Sequence, residues 1–250
     1  MNARFDKSRN LKRAFIRESV LLLVLASSMA ANLARAAETS WQSAIAAMPL
    51  STPTSELNRT NAARILLGSF QSNHVVKALV LQPGATDEFY FFKRATASLT
   101  APAPTLLDAV TALTNQTRIR ATFRPPFLLL HTVEDPTEPL VVVKDAGLVE
   151  QLKRTPFVPH ALYNDRDWDH VQPILTRTLG VKFYPPTQSM ESWHFFRHAM
   201  AGWNLSGWEA LEAVSLAGKT KCTVRRSKVF RRPYIVFDGD VRAPHKSKPR

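Results

Sequence analysis

The run Ile119-Arg-Ala-Thr-Phe-Arg-Pro125-Pro126-Phe127-Leu-Leu-Leu-His-Thr-Val133 sets the reading of the whole chain. Glu134-Asp-Pro136-Thr-Glu-Pro139 follows it, and then Leu140-Val-Val-Val-Lys144. Phe127 to Leu130 and Leu140 to Val143 are apolar without alternation, which predicts strands covered on both faces. The short segment holding Pro136 and Pro139 suits a hairpin turn better than a crossover. The expectation is a mixed sheet with a central hairpin at about 119–144, covered by amphipathic helices.

Working outward, helix and strand signals mix on both sides. Glu56 to Phe70 reads as an amphipathic helix with Leu57, Ala62, Ile65, Leu66 and Phe70 on its buried side. Val75 to Leu81 is apolar and β-branched, and Pro83-Gly84 breaks it. Asp87 to Leu99 fits either a strand or a helix. Thr105 is placed as an N-cap for a helix from Leu106 to Asn115, with Leu106, Val110 and Leu113 on one face. Ala146 to Arg154 is a further helix, and Phe157 to Leu162 a short strand. Asp165 opens a helix toward Thr178, with Pro173 kinking or dividing it. Val181 to Tyr184 reads as a strand, and Ser189 to Trp203 as a helix. Ser206-Gly-Trp-Glu209 is a capping box that opens a helix to Leu216. Lys221 to Arg226 and Pro233 to Phe237 are terminal strands. The class expected is α+β in a single domain, 37–242, with a disordered basic tail at 243–250.

Leu107-Asp-Ala-Val110, Leu113, Gln116, Thr117 and Ile119 resemble the small βαβ modules at the entrance of secretins and TonB-dependent receptors. The similarity covers under a tenth of the chain and lacks the glycine usual before the strand. Any amphipathic helix leading into a strand gives the same pattern, so no family follows from it.

The N-terminus reads as an export signal, residues 1–36. A basic segment with Arg4, Lys7, Arg9, Lys12, Arg13 and Arg17 precedes Val20-Leu-Leu-Leu-Val-Leu-Ala26. Ala34-Arg35-Ala36 then fits a small-x-small cleavage site, which predicts Ala37 as the first mature residue. The other reading is an uncleaved membrane anchor, for which this apolar run is short. Lys12-Arg13-Ala14-Phe15-Ile16-Arg17 resembles a twin-arginine export motif with Lys in the first Arg position. The expected location is periplasmic or extracellular.

Composition excludes several classes. The chain has 250 residues, 8 Gly and 17 Pro, and no Gly-x-Gly-x-x-Gly, Walker-type or Gly-x-Ser-x-Gly pattern. Cys222 is its single cysteine, so neither an internal disulfide nor a cysteine-built zinc site can form. The net charge of +13 is carried by the two ends: +5 lies in 1–36 and +9 in 219–250, which leaves the body at −1. Lys219-Thr-Lys-Cys-Thr-Val-Arg-Arg-Ser-Lys-Val-Phe-Arg-Arg232 holds seven positive charges and no acid. Such a surface suits phosphates, sulfates or acidic polymers. Its other reading is an edge strand kept from pairing by Lys and Arg.

Three further groups carry candidate chemistry. Glu191, His194 and His198 fall within roughly 60° of arc on a helix, a spacing that can bind a divalent metal. Their other reading is a solvated helix face, because Trp193, Phe196, Met200 and Trp203 occupy the opposite arc. Asp165, Asp167 and Asp169 suit a calcium loop weakly, since its Gly and distant Glu are missing, and a helix start well. Trp193, Phe195, Phe196, Trp203 and Trp208 suit either a ligand platform or helix-junction packing. Trp203 and Trp208 flank the Gly-containing junction.

The reading reached from sequence is a non-catalytic binding or structural protein of the bacterial envelope. Its expected contacts are Arg225, Arg226, Arg231 and Arg232, with Trp203 and Trp208. The partner expected is an anionic envelope component or a protein, not nucleic acid, with membrane attachment only through an uncleaved signal. No cofactor is expected. The rival is a metal-dependent hydrolase-like enzyme using Glu191, His194 and His198 with a divalent metal.

Overall fold

The computed structural model describes residues 40–52, 54–58, 62–82, 96–132, 141–157, 176–177, 182–184, 199–218, 220–226 and 233–240. The chain divides into two compact units, Met1–Gln42 and Ser43–Arg250. The second unit holds all the elements named below, and its fold is α+β.

The helices form where local signals place them. Helix α1, Ala62–Ser69, buries Ala62, Ile65 and Leu66, and Phe70 just beyond it is fully buried. It begins later than the sequence suggests, because Glu56–Leu57 form a short strand, β1. Helix α2, Leu106–Gln116, is capped by Thr105, whose hydroxyl accepts the Asp108 N–H while Asp108 accepts the Thr105 N–H. That reciprocal box satisfies two donors a helix start otherwise leaves open. Helix α3, Ala146–Arg154, starts on Asp145, which accepts from Leu148, and buries Leu148, Val149 and Leu152. Helix α4, Gly207–Gly218, opens with a second reciprocal box: Glu209 accepts the Ser206 N–H at 2.7 Å and Ser206 accepts the Glu209 N–H at 3.2 Å.

The first large sheet has the order β4-β5-β2-β9, from β2 Ala78–Gln82, β4 Arg120–Arg124, β5 Phe127–His131 and β9 Ala199–Gly202. β2 and β5 are parallel neighbours and every residue of both is buried. The second sheet has the order β6-β11-β12-β8, from β6 Val141–Val143, β8 Lys182–Tyr184, β11 Thr220–Arg226 and β12 Pro233–Asp240. β11 and β12 run antiparallel, while β6 and β8 flank them in parallel. Two short pairs complete the described strands: β1 with β3, Ala97–Ser98, and β7, Pro156–Phe157, with β10, Leu205–Ser206.

Helix α4 lies between the two sheets and contacts β2 and β9 of one and β6 and β11 of the other. Gly207, Ala210, Leu211, Ala213, Val214, Leu216, Ala217 and Gly218 are all buried. A helix buried along most of its length belongs inside a core, and its small residues let both sheets approach closely. One cluster joins Ala78, Val80, Phe127, Leu129 and Met200 to Leu148, Leu152, Leu211, Val214, Cys222, Val224 and Ile235. Leu79, Leu81, Leu128 and Leu130 are buried outside that cluster. By strand alternation they face the other side of the first sheet, where α1 meets β9 and α2 meets β4.

The structure corrects three expectations. The hairpin within 119–144 is present, but it joins β4 to β5 across Pro125-Pro126, whose peptide is cis. The second limb, β6, belongs to the other sheet as a parallel neighbour of β11. Val-Val-Val finds its partner some eighty residues away, and no local turn chemistry announces such a pairing. The helix expected through Trp203 does not reach that residue: Ala199–Gly202 is a strand paired antiparallel with β2. Ala-Met-Ala-Gly has little preference of its own, and burial of all four residues against Ala78 to Leu81 decides it. Finally, β11 is not an edge strand, because β6 and β12 pair with its two sides.

Candidate functional site

The candidate interface is the outer face of the second sheet. Strand alternation sends Cys222 and Val224 into the core beneath α4 and turns Lys221, Thr223 and Arg225 the other way. Register sets Tyr234 opposite Arg225 and Val236 opposite Thr223, so these share that outer face. Thr223 is 1% exposed, whereas Lys221, Arg225, Tyr234 and Val236 are half-buried. Lys221 and Arg225 are four residues apart along one strand, a separation of about 13 Å. Being interior, the strand is held on both sides, so its two cations start from fixed backbone positions.

The Arg225 Nε is buried and has no hydrogen-bond partner among the described residues. A buried donor left unpaired costs about 1–3 kcal/mol, so it is an uncommon feature in a folded core. The basic run 219–232 makes the strand legible, and the packing of Cys222 and Val224 under α4 settles which of its faces meets the core. Arg226 pairs through its backbone with Pro233. Arg231 and Arg232 lie outside the described residues.

The two tryptophans do not form one platform. Trp203 stacks on the buried ring of Phe70, with centroids 6.1 Å apart and planes at 27°. Its backbone N–H donates to the Ser72 hydroxyl at 2.6 Å, which itself donates to the Lys77 carbonyl. The adjoining Asn204 has φ of 55°, a left-handed conformation that lets the chain turn tightly from β9 into β10. Trp208 packs against the central cluster, and its indole favours the charged form of the Glu212 carboxyl one turn on. Both therefore serve junctions around the ends of β9 and α4.

A charged group stands at the start of α4. Lys77 Nζ lies 2.6 Å from Glu209 Oε1. Burial alone would push the Glu209 carboxyl up, but the Lys77 ammonium and the Ser206 N–H together hold it below the usual carboxylate range. Glu212, one turn further on, is raised by burial, only partly offset by the Trp208 indole, with the Glu209 charge adding to the rise. Two carboxyls displaced in opposite directions can form an acid–base pair, but here each is engaged in packing or capping contacts.

Two other places bear on function. A shallow groove of about 190 Å³ runs along Ser98 to Ala101 and the α2 residues Asp108, Thr111, Asn115 and Gln116. Its strongest polar groups are already engaged, Asp108 with Thr105 and the Gln116 amide in two bonds to the Ser98 backbone. Buried between the sheets and α4, Gln82 donates to the Leu216 carbonyl at 2.9 Å, and His131 beside it bonds Thr122 at 2.8 Å. These polar groups close the C-terminal end of α4 and tie β5 to β4.

Glu191, His194 and His198 lie outside the described residues, as do Asp165, Asp167 and Asp169. Among the described residues, no three His, Cys, Asp or Glu side chains converge closely enough to hold a metal ion. No described helix is long and apolar enough to cross a membrane.

Comparison with known proteins matches the chain to no family model, no curated protein and no solved structure.

Proposed function

We propose that this chain is an exported, non-catalytic binding protein of the bacterial envelope. It uses the outer face of its second sheet to hold an anionic envelope component. The observation that carries this reading is the two-sided character of β11. Cys222 and Val224 anchor the strand in the core, while Lys221 and Arg225 stand half-buried on its other face beside Tyr234. Cations fixed on that face with an aromatic neighbour suit anionic groups. The leader at 1–36 supports the location, and the near-neutral body concentrates the positive charge in this region. For an exported chain, nucleic acid is not the partner that location favours.

The test is binding of the purified chain to vesicles containing phosphatidylglycerol, against phosphatidylcholine vesicles, over a series of salt concentrations. Binding confined to the anionic vesicles, weakening steeply with salt and lost in the Lys221→Gln/Arg225→Gln double variant, is expected. Equal binding to both vesicle types, or an unchanged double variant, would sink the reading.

A further inference from the structure

We infer that the groove between β3 and α2 is a strand-addition site, which takes an extended segment of a partner protein antiparallel to β3, with a basic residue at its N-terminal end beside Asp108. This surface shares no residue with the basic strand, and the inference does not depend on the anion-binding reading.

β3 meets β1 along one edge only. Leu57 lies opposite Ala97, and the Leu99 N–H donates to the Ser55 carbonyl at 2.7 Å. Successive residues of an antiparallel strand turn their N–H and C=O to opposite edges, so Ser98 turns its pair away from β1. Among the described residues no strand meets it there. The Gln116 side chain does. Its Oε1 accepts the Ser98 N–H and its Nε2 donates to the Ser98 carbonyl, both at 2.9 Å. One primary amide thus makes the two bonds that a residue of an antiparallel neighbour exchanges in a hydrogen-bonded pair. It stands in for a peptide group. Ser98 and Gln116 are both exposed, so an incoming strand reaches this pair from solvent and takes the place of the amide.

The groove also sets the length and direction of the segment. From β3 the chain passes through Pro102-Ala-Pro104 into α2, and Gln116 comes back beside Ser98. Asp108 therefore stands at the other end of the groove, toward Ala101. From Asp108 to Gln116 the helix rises about 12 Å, which matches about four residues of extended chain. A segment antiparallel to β3 enters at Asp108 and leaves at Gln116. Asp108 is the one charged residue in the lining, and it binds Thr105 through Oδ2, which leaves Oδ1 for a basic group. Between the two ends, Thr111 and Asn115 offer a hydroxyl and an amide, and the small Ala112 leaves room for side chains. The occupant is a bare strand: the β3 of a second copy is flanked by its own β1 and α2 and cannot enter by this edge.

The experiment is a calorimetric titration of the full chain with the peptide acetyl-Lys-Thr-Val-Thr-Val-Thr-amide. Two controls run beside it: the same residues with Lys moved to the C-terminal end, and the first peptide N-methylated at alternate residues. The parent is compared with Gln116→Ala and Asp108→Asn, and circular dichroism confirms that both variants are folded. Gln116→Ala is expected to bind about three- to tenfold more tightly, because its two exposed bonds no longer have to be broken. Moving Lys to the C-terminal end should weaken binding about two- to fivefold, the scale of an exposed ion pair, and Asp108→Asn should erase that difference. N-methylation should abolish binding. In Gln116→Ala the Ser98 amide should exchange quickly with solvent when free and slowly once the peptide is added. Unchanged or weaker binding by Gln116→Ala, undiminished binding of the N-methylated peptide, equal binding of the two Lys placements to the parent, or no binding to any chain would each overturn the inference.

Discussion

The two four-stranded sheets lie on opposite sides of the same helix and are used differently. In the first, β2 and β5 are buried at every position, with the central cluster on one face and the Leu79, Leu81, Leu128 and Leu130 side chains on the other. The second spends one face on that cluster and on the other sets half-buried Lys221, Arg225, Tyr234 and Val236 around a buried Thr223. A strand covered twice has no surface left for a partner, so substitutions there act on stability. On the second sheet residue parity separates the side chains, with Cys222 and Val224 facing the core and Lys221 and Arg225 the opposite face.

The sharpest way to break this contrast is a truncation on each sheet. Leu129→Ala, at a position with no exposure facing α4, is expected to destabilise the protein by about 2–5 kcal/mol, read from denaturant unfolding. An effect near zero would mean that the doubly covered sheet is not the core.

Gly202→Ala comes next. A Cβ there would meet Ala78 Cβ and Leu205 Cδ1 at 3.0 Å and the Lys77 carbonyl at 3.1 Å. With a backbone oxygen among the three, the neighbours cannot simply rotate away, and a loss of about 1–3 kcal/mol is expected in the same assay. A neutral result would place β9 further from β2 than the register Gly202 to Ala78 requires.

The start of α4, between the sheets, should show two opposite pH signatures. Ser206→Ala removes one cap bond and should cost about 1 kcal/mol. Glu209 has a lowered folded pKa, so its contribution is present above the unfolded value, about 4.3, and fades as pH falls through the lower folded value. Glu209→Gln should therefore destabilise at neutral pH and lose its effect in acid. Glu212 has a raised folded pKa, so its contribution is present below the unfolded value and is lost as pH rises through the folded one. Glu212→Gln should stabilise at neutral pH and make no difference in acid. Thermal unfolding across pH 3 to 8 reads both, and parallel profiles would contradict the assignment.

The smallest stability effect belongs to the outer face of the second sheet. Lys221→Gln should change stability by no more than about 0.5 kcal/mol while weakening anion binding. A large loss of stability there would make Lys221 structural and collapse the distinction between the sheets.

Part of the candidate site was legible from residues alone. Alternation along Lys221-Cys-Thr-Val-Arg225 already separates three polar or charged side chains from two apolar ones. What could not be read was that β11 sits inside a sheet, since that depends on Val141 to Val143 pairing with Cys222 to Val224. Trp203 and Trp208 looked like neighbours by sequence, yet the ring stacked on Trp203 is Phe70, more than a hundred residues away.

The sequence by itself determined the features whose causes lie within one or two turns. Thr105 with Asp108, and Ser206 with Glu209, fix two helix starts because a short side chain and an acid three residues on satisfy each other's backbone donors. Ala146–Arg154 follows from its own spacing of Leu148, Val149 and Leu152. Only the tertiary structure decided which strands meet. The β2–β9 and β6–β11 pairings join segments some eighty to a hundred and twenty residues apart. Short apolar runs such as Ala-Met-Ala-Gly and Val-Val-Val have no turn or cap that names a partner. Their pairing is set by burial against α4 and the neighbouring strand, a free energy that exists only once the chain has closed on itself.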